Sequence, residues 1–275
     1  MINRTRIGAT ALLWVFWCFL TGASAVFLAG CAAGATGSGV NSDLVTDSDE
    51  PEARKRARLR LELAVAYFEK GQTTDALDHL KQSIVADPGL FEAHNMRGLI
   101  YMRLNDLPLA EESFRRALAI SPKAASVQHN YGWFLCQNSR LPEAMQLFGS
   151  ALANPAYGDK AKTWMAQGLC QQRGGQLADA EISLQRAYEL DAGNPITAYN
   201  LASMLFQRGE FVRAQFYVRR LNNSELANAE SLWLGIKVER RLANSDAMLQ
   251  LGGQLKKRFA QSREFAAYER GAFNE

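Results

Sequence analysis

Residues 91–124 read FEAHNMRGLIYMRLNDLPLAEESFRRALAISPKA, and the order of small, bulky and turn-forming residues in this stretch decides the fold. Gly98 and Ala110 are small where two helix backbones must approach closely, and Tyr101, Phe114 and Leu118 fill the space around them. The apolar spacing predicts a helix over Ala93–Arg103 and a second over Pro108–Ile120, with Asn105-Asp106 as the turn between them. Pro108 falls near the start of the second helix, where a missing N–H does no harm. Pro122 cannot continue that helix and pushes Ser121 out of the α region. The same pattern recurs on both sides. Small residues stand at Ala64, Gly98, Gly132, Gly168, Ala202 and Gly235, at spacings of 34, 34, 36, 34 and 33. About twelve residues after each comes an alanine: Ala76, Ala110, Ala144, Ala180, Ala214 and Ala247. Four residues further on sits a bulky apolar side chain: Leu80, Phe114, Phe148, Leu184, Val218 and Leu251. A fixed period of this length is the signature of stacked helix pairs, because one pair cannot bury its apolar face alone and neighbours must share a core.

The spacing of small residue, aromatic, alanine and closing proline (Pro88, Pro122 and, one place early, Pro155) resembles the tetratricopeptide repeat, or TPR. That resemblance implies an all-α solenoid of about six helix-turn-helix repeats, wound as a right-handed superhelix with a concave groove. The repeats are expected at about 57–90, 91–124, 125–158, 161–194, 195–228 and 228–262, with a short capping helix over 263–270. Asp159 and Lys160 are extra residues, so 154–159 should form a longer loop. The sixth repeat is the weakest, with Gly252-Gly253 inside its second helix at about 1 kcal/mol per glycine.

The first 30 residues are of another kind. Arg4 and Arg6 precede a nearly uninterrupted apolar stretch from Ala11 to Leu28, followed by Leu28-Ala29-Gly30-Cys31. This reads as a secretory signal over 1–30. The four-residue run resembles the bacterial lipobox, in which the cysteine is acylated; that implies lipidation of Cys31. Ala32 behind it, in place of aspartate, implies the outer membrane. The alternative is an uncleaved membrane anchor, since a run near 20 apolar residues can span a bilayer. Gly, Ser, Thr and Asp dominate the stretch that follows, so 31–53 is expected to be a flexible tether and 54–275 the repeat domain. The basic run Arg54 to Arg60 should open the first helix and face solvent.

The chain carries 31 basic and 28 acidic residues; without Arg4 and Arg6 the balance is +1, which gives no electrostatic case for nucleic acid. Cys136 and Cys170 remain once Cys18 and Cys31 are assigned to signal and lipid. Both fall on first helices, of repeats three and four, which pack side by side. In an oxidising compartment they form either a structural disulfide, the expected outcome, or two buried free thiols. The histidines, His79, His94 and His129, make no ligand set and no triad. There is no glycine-rich phosphate loop and no predicted strand. No enzyme, metal site or cofactor is expected.

The TPR resemblance also implies which side chains face the groove: Leu61, Val65 and Phe68; Leu99 and Met102, with Asn95 and Arg103; Trp133, with His129, Cys136 and Gln137; Met165 and Leu169, with Gln172 and Arg173; Tyr199 and Phe206, with Ser203 and Gln207. This lining is largely apolar and aromatic, which suits an amphipathic helix or an extended peptide with hydrophobic anchors.

One family gathers these features. Asn130-Tyr131-Gly132-Trp133-Phe134-Leu135-Cys136 and Gly168-Leu169-Cys170, with the Leu28–Cys31 run and about six repeats, resemble the type IV pilus biogenesis and stability proteins, the PilF/PilW pilotins. The resemblance spans essentially all of the chain beyond Cys31. It implies an outer-membrane lipoprotein facing the periplasm that binds subunits of the secretin PilQ and promotes their localisation and ring assembly, with no small-molecule substrate. The alternative function is a general periplasmic TPR adaptor for cell-wall enzymes or outer-membrane protein assembly.

Overall fold

The computed structural model describes residues 50–273. Among these there are thirteen α-helices and no strand. They run in pairs: α1 (Glu52–Glu69) with α2 (Thr73–Ala86), α3 (Phe91–Arg103) with α4 (Leu107–Ile120), and α5 (Ala125–Gln137) with α6 (Leu141–Ala153). Then come α7 (Lys160–Arg173) with α8 (Leu177–Leu190), α9 (Pro195–Gln207) with α10 (Phe211–Asn222), and α11 (Ala229–Arg241) with α12 (Ser245–Phe259). The short α13 (Arg263–Glu269) packs on α11 and α12. Each second helix packs against the first helix of its own pair and against the first helix of the next pair. The result is the all-α TPR solenoid.

The small residues sit where the helices of a pair cross. A Cβ on Gly98 would lie 2.6 Å from the Phe114 ring, one on Gly132 2.9 Å from Phe148, and one on Gly168 2.7 Å from Leu184. In the first and fifth units, Ala64 and Ala202 do the same work and are fully buried. Ala76, Ala110, Ala144, Ala180 and Ala214 are fully buried too, whereas Ala247 and Leu251 in the last pair are only half-buried. Among the described residues α13 covers part of that pair and no further repeat does. Gly252 is explained by this packing, since a Cβ there would lie 2.3 Å from the Tyr268 hydroxyl of α13. The last pair is also well capped: Asn228 and Ser231 form a reciprocal capping box at the start of α11, and the Asn244 side chain accepts from the Ala247 N–H at α12.

The turn inside each pair passes through one residue of positive φ: Gly71, Asn105, Ser139, Gly175, Gly209 and Ala243. The loop 154–159 lies between α6 and α7. Its Tyr157 hydroxyl returns to Thr163 Oγ1 at 3.0 Å. The basic run is more engaged than its composition suggests. Arg56 and Arg58 are exposed, but Arg54 Nε donates to Asp87 at 2.6 Å and the Arg60 guanidinium lies 3.4 Å from His79 Nδ1. These two face α2 and its C-terminal end, so they stitch the first pair together.

Candidate protein-binding cleft

The first helices of the pairs present one side to a shared cleft of about 570 Å³. Phe68 on α1, Leu99 and Met102 on α3, Trp133 on α5, and Met165 and Leu169 on α7 line it. Leu99 and Met102, like Met165 and Leu169, stand three or four residues apart and so share one helical face. All six are partly buried, with apolar surface left open to the cleft. Polar side chains mark its edge: Arg103, Asn130, Gln137 and Lys162. Asn130 Nδ2 donates to Asn95 Oδ1 at 3.1 Å across α5 and α3. Arg103 lies over the Phe68 ring, 5.0 Å from its centroid, and donates to the Phe68 carbonyl at 3.2 Å.

The other expected groove residues lie elsewhere. Leu61 and Val65 pack against the core of the first pair, around Ala64, Leu80 and Ile100, and do not line the cleft. Tyr199 and Phe206 line a second cleft of about 610 Å³, with Trp233, Lys237 and Arg263. Lys237 Nζ stands 5.7 Å from the Phe206 centroid and 5.5 Å from that of Trp233, and burial pushes its ammonium pKa down. Sequence reasoning named neither Trp233 nor Lys237, because groove positions were not carried onto the sixth repeat; Gly235, two residues after Trp233, was the available signal. Ile196 also lines the first cleft, although it stands ahead of the groove positions assigned to α9.

His129 forms part of the first cleft's wall. Its Nδ1 lies 2.8 Å from Thr163 Oγ1, one repeat later, so His129, Thr163 and Tyr157 form a short polar chain between α5, α7 and the inserted loop. Burial, with a smaller contribution from Lys162, lowers its pKa to about 4. It is therefore neutral near pH 7 and serves packing. His79 stacks on Tyr67 at 5.0 Å, and buried His94 places Nε2 3.1 Å from the Pro88 carbonyl. Cys136 and Cys170 form a disulfide between α5 and α7, the helices that carry Trp133 and Met165. Among the described residues no cluster of His, Cys, Asp and Glu is arranged to hold a metal ion. Cys31, the signal segment and the tether up to residue 49 lie outside the described residues.

A family model described as tetratricopeptide repeat matches residues 61–125, 95–159 and 135–195. The type IV pilus assembly protein PilF of Pseudomonas aeruginosa is 29% identical over 245 residues, covering 89% of this chain and 94% of that protein. The crystal structure of PilW, described as a widely conserved type IV pilus biogenesis factor, superposes with a TM-score of 0.69 at 30% identity, over 77% of this chain and 97% of PilW. This chain belongs to the PilF/PilW family. The Pseudomonas aeruginosa PilF structure superposes as well, with a TM-score of 0.72 at 26% identity, over 80% of this chain and 100% of that one. A PilF/PilW protein is a TPR protein of type IV pilus biogenesis, and repeats of this kind act by holding other proteins. The apolar cleft gives this PilF/PilW chain a concave surface.

Proposed function

We propose that this protein is a pilotin: an outer-membrane lipoprotein, anchored through lipid on Cys31 and facing the periplasm, that binds the secretin PilQ and promotes its localisation and multimerisation. The cleft formed by Phe68, Leu99, Met102, Trp133, Met165 and Leu169 is the observation that carries this reading. An apolar trough on rigid helices accepts a hydrophobic segment without paying to order itself. Each buried CH₂ of an acyl chain contributes about 0.8 kcal/mol to anchoring, so a multiply acylated Cys31 would hold the domain at the membrane. Tethering then raises the effective concentration of captured subunits, to roughly millimolar for short linkers, with no added contact.

Cross-linked pull-down from native envelopes tests this, with wild type beside Cys31→Ser and Met165→Asp. The proposal expects PilQ with wild type, loss of outer-membrane PilQ rings with Cys31→Ser, and loss of PilQ capture with Met165→Asp at unchanged helicity. Recovery of murein enzymes or outer-membrane assembly factors without PilQ would make the protein a general periplasmic adaptor instead.

A further inference from the structure

The cleft is apolar at its floor and positive at its edge. Among the described residues its lining includes Arg103 and Lys162 and no carboxylate. Both cations are exposed. Arg103 is already oriented, held by the Phe68 ring and carbonyl, so its guanidinium stands at the cleft with donors to spare. Lys162 lies in the first turn of α7, a turn with no acidic residue. A cation there opposes the positive end of the helix dipole, and a bound anion relieves that opposition. Asp159 at the N-cap of α7 makes no side-chain cap bond and lies outside the lining. Elsewhere on the solenoid arginines meet carboxylates: Arg140 bonds Glu111 and Glu143, and Arg208 bonds Glu181 and Glu210. The cleft departs from that pattern.

Aligned on Gly98 and Gly168, Lys162 stands eleven residues ahead of Arg103, or about 16 Å of helical rise. In this shared register the apolar lining, from Met165 to Met102, falls between the two charges. We infer that the cleft takes a protein segment whose apolar side chains are flanked on both sides by carboxylates. The floor supplies affinity. Arg103 and Lys162 supply orientation and reject segments with basic flanks, as charges at the rim of an interface do. This rests on the reading of the cleft as the partner site and states the chemistry of the segment that enters it.

The test uses the full chain and three fluorescein-labelled peptides. The acidic probe is Asp-Asp-Leu-Leu-Ala-Trp-Leu-Ala-Leu-Leu-Asp-Asp; in the others Asn or Lys replaces every Asp. Fluorescence anisotropy at low salt should show the acidic probe binding about five- to tenfold more tightly than the Asn probe, with the advantage shrinking as salt is raised. The Lys probe should bind more weakly than either. In an Arg103→Glu/Lys162→Glu variant the order should reverse, and because both positions are exposed the fold is not at stake. No binding of the acidic probe, equal affinity for all three, or a preference that survives the double reversal would each overturn the inference. Pull-down of PilQ with wild type is read separately. Its absence removes the proposed partner and leaves the charge preference standing, whereas PilQ recovered without any preference removes this inference alone.

Discussion

Cys136 and Cys170 stand 34 residues apart, and their Cα atoms are 5.8 Å apart in a disulfide that joins α5 to α7. The bond crosses between the first helices of successive repeats, from four residues after Gly132 to two residues after Gly168. It ties together the two helices that carry the middle of the cleft.

Closing a loop of this length removes entropy from the unfolded chain worth about 3–4 kcal/mol in the loop-closure model. The double variant Cys136→Ala/Cys170→Ala should lose about 3 kcal/mol from the middle repeats. Urea titrations with and without reductant check this: reduction should destabilise wild type by a similar amount and leave the double variant unmoved.

The buried His129 makes stability depend on pH. Its folded pKa, about 4, lies below the 6.5 of an exposed histidine. Above pH 6.5 neither state holds the proton, and the group adds no pH dependence. Between pH 6.5 and 4 the unfolded chain binds the proton and the folded one does not, so stability falls as pH falls, by up to about 3 kcal/mol in all. Denaturation midpoints at pH 7 and pH 4.5 should therefore converge in His129→Gln, relative to wild type.

Two glycines on facing helices of one repeat should respond in opposite directions. A Cβ on Gly132 would meet the Phe148 ring at 2.9 Å and the Ala144 carbonyl at 3.4 Å, so Gly132→Ala should destabilise by about 1–3 kcal/mol. A Cβ on Gly149, within α6, meets nothing within 4 Å. Gly149→Ala should instead stabilise by up to about 1 kcal/mol, through helix propensity. Thermal melts of the two variants separate the cases.

Ala243 adopts φ 56° in the turn between α11 and α12, at the place that glycine occupies in the first, fourth and fifth repeats. An L side chain with a Cβ resists this conformation by about 1–2 kcal/mol, and glycine returns part of that as unfolded-state entropy. Ala243→Gly should therefore stabilise the last pair by up to about 1 kcal/mol. Hydrogen exchange in α11 and α12 reads the gain locally.

The repeat period was legible because close helix crossings leave no choice of residue. Beside Phe114, Phe148 and Leu184 even a Cβ collides, so those crossings take glycine and the architecture is written into the spacing of small residues. The cysteine pair was legible as a possibility because both fall on first helices of adjacent repeats, which pack side by side. Six of the groove residues that the TPR resemblance implies, Phe68, Leu99, Met102, Trp133, Met165 and Leu169, line one cleft. Leu61 and Val65 lie outside that cleft's lining; both are partly buried and pack against the core of the first pair, as Phe68 and Leu99 also do. The polar links were legible only in part. Arg54 with Asp87 and His129 with Thr163 join positions that share no local pattern, and so does the close packing of Tyr268 on Gly252. Local spacing determined the helices, their pairing and the period of the stack, because those follow from side-chain size and backbone propensity within one unit. Tertiary packing alone decided which apolar side chains stay open to a cleft and which cations line it with no carboxylate beside them among the described residues, because exposure and charge pairing depend on neighbours from other repeats.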